Sequence, residues 1–216
     1  MATPVTNFKE TPEEIAYELR AAEGAAWIGS RSLIGVGSFI YASLAFAFFY
    51  LRSANQAQLW RPNHVTAPTE MGATIFALSA ATAALSVYGM YRFRRGSVVD
   101  WEVAGWMGLL LGALGFALQI YELTRLPFYP GSSGYASTFI GWGVLNLVGL
   151  LGGCYWLETL LARSLRLRRA VAEDGGAANS TLPAARLFRA SVEGCTVFWG
   201  FLAVVAVFFW ILFYLI

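Results

Sequence analysis

Five long runs of the chain contain no Asp, Glu, Lys, Arg or His: Leu33–Leu51, Met71–Tyr91, Val103–Tyr121, Leu126–Leu157 and Gly194–Ile216. At 1.5 Å of rise per residue, each is long enough to cross a hydrocarbon core of about 30 Å. The pattern predicts an all-α fold, a polytopic membrane bundle of five transmembrane helices over about 25–51, 71–91, 103–122, 134–161 and 194–216. These form one membrane domain, 25–216, behind a polar tail, 1–24.

Periodicity within the spans adds detail. Steps of four and three along the third span pass through Trp101, Gly105, Gly108, Gly112, Gly115, Gln119 and Glu122. One helix face is therefore bare of side chains for several turns and ends in an amide and a carboxylate. Small residues in a row let two backbones approach closely in lipid, so this face is a candidate helix-docking surface. Generic packing against neighbouring helices accounts for the same glycines. A carboxylate near the hydrocarbon needs the interface or a partner, so Gln119 and Glu122 are candidate polar site residues, with an interface-level cap as the simpler role for Glu122. In the fourth span the same stepping from Trp142 gives Asn146, Gly149, Gly153 and Trp156. That second small-residue face, with one amide in it, is a candidate mate for the Gly108–Gly115 face.

Composition places the chain in a membrane: 57% of residues are hydrophobic and 13% charged, too apolar for an ordinary soluble domain. The net charge of +2 points to no nucleic-acid partner. Its distribution is informative. Eleven basic residues, from Lys9 and Arg20 through Arg92, Arg94 and Arg95 to the Arg163–Arg189 connection, fall on one side, against Arg52, Arg61 and Arg125 on the other. By the positive-inside rule the N-terminus is cytoplasmic and the C-terminus faces outward.

The tail holds Thr11-Pro12-Glu13-Glu14, which reads as an N-cap, a first-turn proline and a capping-box glutamate opening a short surface helix. The first 23 residues carry five glutamates and lack an apolar core with a small-residue cleavage site, so the first span is expected to stay as an anchor. Arg31, inside that span, is either a functional charge or a side chain that snorkels to the headgroups. The single histidine, His64, lies in a loop and cannot by itself build a haem pair or copper site. Cys154 and Cys195 stand at different depths of two spans and read as packing residues. Tyr88, Tyr91 and Phe93 interleaved with Arg92, Arg94 and Arg95 mark a membrane interface. Glu173–Ser180, inside the long basic connection, reads as a flexible linker.

The third and fourth spans resemble subunit III of the haem-copper respiratory oxidases. That family's helix carries LG-x-x-x-F-x-x-x-Q-x-x-E, approximated here by Leu111-Gly112, Phe116, Gln119 and Glu122, with Phe116 one place from where some members put it. Gly134-Tyr135-Ala136-Ser137-Thr138-Phe139-Ile140 is similar to the segment that begins the family's next helix. Trp27 and Tyr50-Leu51-Arg52 bracket the first span as in the corresponding family helix, and five spans match the shorter bacterial form. There are departures. The family's Ser-Glu pair has no counterpart, Ser30-Arg31 or Gly37-Ser38 standing there instead. Asn146 and Gly149 replace two histidines, and Arg189-Ala190-Ser191-Val192-Glu193 keeps only the acid, Glu193, of a His-x-x-Asp element.

The resemblance implies an accessory, non-catalytic subunit of a terminal oxidase in aerobic electron transport, located in the cell inner (plasma) membrane. It implies a partner catalytic subunit I holding haem and copper, with no cofactor, metal or catalytic residue in this chain, and bound phospholipid. The alternatives are a subunit of a related complex such as nitric oxide reductase, or a small transporter using Glu122, Asn146 and Arg31. Transporters place several polar groups near the midplane on broken helices, whereas the charges here gather near the span ends.

Overall fold

The computed structural model describes residues 12–54, 60–61, 66–173 and 183–216. The described residues form five helices: α1 (Pro12–Ser53), α2 (Thr69–Arg94), α3 (Val98–Thr124), α4 (Gly134–Glu173) and α5 (Pro183–Trp210), the last closing in a π-helical turn, Ile211–Leu215. All five are long and apolar enough to cross a membrane, and the described residues contain no strand. Successive helices alternate in direction, so the start of α1, the α2–α3 turn, the end of α4 and the start of α5 share one end of the bundle. This end carries Arg92, Arg94, Arg168, Arg186 and Arg189 and is called the basic end below.

The α2–α3 turn follows from its residues. Gly96 has φ of +91°, the left-handed conformation that glycine adopts without steric cost, and closes α2 with Ser97 N–H on Arg92 O at 3.1 Å and Gly96 N–H on Phe93 O at 2.9 Å. The Ser97 hydroxyl then caps α3 by accepting from the Asp100 N–H, and Arg92 Nε donates to Asp100 Oδ2 at 2.6 Å across the turn.

Two element boundaries differ from the sequence reading. The short surface helix expected in the tail is the first part of α1, which runs unbroken through Gly24 into the membrane span because no proline interrupts its hydrogen-bond ladder. Helix α4 likewise continues to Glu173, past the expected end near 161. Thr11, Lys9, His64 and the rest of the expected linker lie outside the described residues.

The interior divides into two apolar clusters. Toward the basic end, Phe93, Trp101, Phe188, Leu157, Leu161 and Trp199 pack together. At the far end Phe48, Tyr135, Phe139, Trp142, Phe209 and Phe213 form an aromatic cluster in which Phe139 meets Phe213 edge-on at 5.3 Å. The glycine faces lie inside this packing. A Cβ on Gly105 would stand 2.9 Å from Leu161, one on Gly108 3.5 Å from Leu157, and one on Gly115 3.7 Å from Leu78. The direct mating of the α3 and α4 glycine faces is not what forms. Trp199 of α5 is wedged between them, 2.9 Å from a Cβ placed on either Gly112 or Gly153. An indole is too wide for a gap flanked by side chains, so both glycines make its slot.

Candidate functional site

At the far end of the bundle three helices and the chain's last turn meet around a buried carboxyl. Gln119 and Glu122 sit on the last turns of α3, three residues apart and so on one face, and both are completely buried. Gln119 Nε2 donates to Glu122 Oε2 at 2.8 Å, and Asn146 Nδ2, from α4, donates to Gln119 Oε1 at 2.8 Å. The Tyr214 hydroxyl, from the π-helical turn, donates to Glu122 Oε1 at 2.6 Å. The result is a continuous chain, Asn146 to Gln119 to Glu122 to Tyr214, in which Glu122 accepts from both sides.

Local sequence explains how each group arrives. A Cβ on Gly143 would lie 2.7 Å from Leu123 and 3.5 Å from Gln119 Nε2, so glycine there allows α4 close enough for Asn146 to reach Gln119. Gly72 does the same for α2, since any Cβ at that position would clash with the hydroxyl end of the Tyr214 ring. The π turn swings Tyr214 inward as the helix ends. Beside it the Tyr135 hydroxyl donates to Phe213 O at 3.1 Å, fastening the same turn to α4.

Of the residues singled out in the sequence, the structure brings Gln119, Glu122 and Asn146 together and keeps the others apart from them. Arg31 is near the basic end, its guanidinium 3.7 Å over the Trp27 ring and donating to Trp27 O at 3.2 Å. Glu193 is at the basic end too, paired with Arg94 at 2.9 Å and Arg189 at 3.6 Å. Gly149 receives Leu202, a Cβ there standing 2.8 Å from it. Sequence reasoning missed Tyr214, Gly72, Gly143 and Trp199. It also missed Glu102, which is buried near the start of α3, accepts from the Ser164 hydroxyl at 3.1 Å and pairs with Arg168 at 3.5 Å. Tyr214 had one available signal, a phenol in an otherwise apolar run.

Chemically, the chain of bonds satisfies both oxygens of a buried carboxyl and links α3, α4 and the C-terminal turn, work suited to fixing helices in one arrangement, while the buried Asn146 Oδ1 has no hydrogen-bond partner. Among the described residues no three His, Cys, Asp or Glu side chains converge as metal ligands would.

The chain is 27% identical over 168 residues to cytochrome c oxidase subunit 3 of Bacillus subtilis (strain 168), a match covering 74% of this chain and 76% of the relative. That is a distant, subunit III-like relationship. No family model matches the chain.

Proposed function

We propose that this protein is an accessory, non-catalytic subunit of a respiratory haem-copper terminal oxidase, packing against and stabilising a catalytic subunit that carries the haem and copper. The observation that carries the reading is the placement of the polar residues. At the far end of the bundle both oxygens of Glu122 accept from Gln119 and Tyr214, and Asn146 donates to Gln119, so the carboxyl is committed to holding helices together, which supports an architectural part and disfavours a transport path. The subunit III-like relationship supports the choice of complex. On this reading the chain is one membrane domain in the plasma membrane, with the basic end and the N-terminus cytoplasmic by the positive-inside rule.

Bound phospholipid belongs to the same proposal. An apolar groove of about 300 Å³ runs between α1, α4 and α5 along Leu33, Ile40, Phe198 and Phe201. Near the basic end a depression of about 300 Å³ is lined by Arg31, Arg186 and Arg189 together with Glu23 and Glu193, which pair with Arg186 and Arg189, leaving Arg31 to meet an anionic headgroup whose acyl chain lies in the groove.

The test is gentle detergent extraction from the native membrane, purification through a tag on this chain and a reduced-minus-oxidised spectrum. Haem bands with a large co-purifying subunit are expected, and the haem type separates an oxidase from a nitric oxide reductase. A colourless preparation of this chain alone would overturn the proposal.

A further inference from the structure

Toward the basic end, α2, α3, α4 and α5 leave a small cavity between them. It is about 10 Å³, room for one water molecule and nothing larger. Its wall is mostly apolar, with Trp101 of α3 and Leu157 of α4 in it, but three of its side chains carry hydrogen-bonding groups: Ser86 of α2 and Cys195 and Thr196 of α5.

The two hydroxyls decide what the cavity can hold. Ser86 Oγ donates to Thr82 O at 2.9 Å and Thr196 Oγ1 donates to Val192 O at 2.9 Å, each a carbonyl one turn back on its own helix. A hydroxyl has one hydrogen and two lone pairs, so each oxygen, with its hydrogen spent, offers only acceptor sites. Cys195 adds the weak S–H donor of a free thiol. The matching ligand is the size of one water, has two hydrogens to give and has a lone pair to receive. A cavity of wholly apolar lining stays dry, whereas polar partners of this kind hold a water.

The same place is where α2 and α5 meet without a good direct bond. Thr196 Oγ1 lies 3.4 Å from Ser86 O, long for a hydroxyl, whose bonds cluster at about 2.7–2.8 Å. Thr196 also stands one turn from Glu193, an ion-paired residue of the basic end, so solvent is close enough to supply the cavity.

We propose that this cavity holds one water molecule, which donates to Ser86 Oγ and Thr196 Oγ1, accepts from the Cys195 thiol and bridges α2 to α5. The bridge belongs to this chain's own fold and stands apart from the subunit reading.

The test is a density map of the purified protein with whatever subunits accompany it, fine enough to show ordered water at other buried sites, together with Ser86→Ala, Thr196→Val and the double variant. A peak within hydrogen-bonding reach of both hydroxyl oxygens is expected, and Thr196→Val, which keeps the outline of the side chain, should remove it. In thermal unfolding each single variant should lower the midpoint, and the double variant should lower it by less than the two shifts summed, because either change already breaks the bridge. The direct contact of Thr196 is with the backbone of Ser86, which Ser86→Ala leaves in place, so the water is what couples the two side chains. No peak where other buried waters are visible, or shifts that simply add, would overturn the inference. Should a variant fail to accumulate, the map of the unmodified protein decides.

Discussion

Tyr214 donates its hydroxyl proton to Glu122 at 2.6 Å, joining residues 92 positions apart and tying the last turn of the chain to the end of α3. Each partner is held by others, Glu122 by Gln119 and the Tyr214 ring by the bare backbone at Gly72. Substitutions around this bond should therefore report on helix arrangement.

Tyr214→Phe keeps the ring and removes the donor, leaving one oxygen of a buried carboxyl unpaired. A loss of about 1–3 kcal/mol is expected, seen as a lower midpoint in thermal unfolding of the purified assembly. An unchanged midpoint would mean that the bond contributes nothing.

Gly72→Ala should be more damaging than its size suggests, because its methyl would clash with the hydroxyl end of the Tyr214 ring. Overpacking of this kind costs about 1–3 kcal/mol. Tyr214→Ala in the same chain should relieve it, so the double variant should be less destabilised than the two single effects summed. Additive losses would contradict the contact.

Trp199 is completely buried between the α3 and α4 glycine faces, so Trp199→Ala should cost about 3–5 kcal/mol through the cavity it leaves. Gly112→Leu should drive a side chain into the same indole and into Cys154, reducing recovery of folded chain. Full recovery of Gly112→Leu would remove the wedge from the account.

Glu122→Gln preserves shape but turns an amide N–H₂ toward Gln119 or Tyr214, both of which are donors in the present arrangement. Stability should drop while turnover of the assembly stays nearly intact, because Glu122 acts by holding helices. Loss of proton uptake without loss of stability would instead give Glu122 a direct part in proton movement.

The five spans were legible because charge is so costly in hydrocarbon that its absence marks them. Burial of the Gly105–Gln119 face was legible for a similar reason, a helical period of small and polar residues in an otherwise apolar segment, whereas Glu122, for which an interface-level cap was the simpler expectation, is completely buried because Gln119 and Tyr214 supply its hydrogen bonds. What fills the glycine face was not. Trp199 stands in a span apolar on every side, and such a span carries no sign of which residue turns inward. Gly72 and Tyr214 are 142 positions apart with no periodic signal linking them, and their contact exists only once α2 and the π turn are side by side. Glu102 was not singled out, since Ser164 and Arg168 reach it only because α4 continues beyond its expected end. The length of α1 was hidden because a polar tail and a polar helix look alike in composition.

The most direct measurement of the central claim is to release this chain from the purified assembly with a stronger detergent, then follow haem content, initial turnover and half-life of the remainder. Haem and initial turnover are expected to stay with the remaining subunits while the half-life shortens. Haem leaving with this chain, or a remainder unaltered in stability, would contradict it.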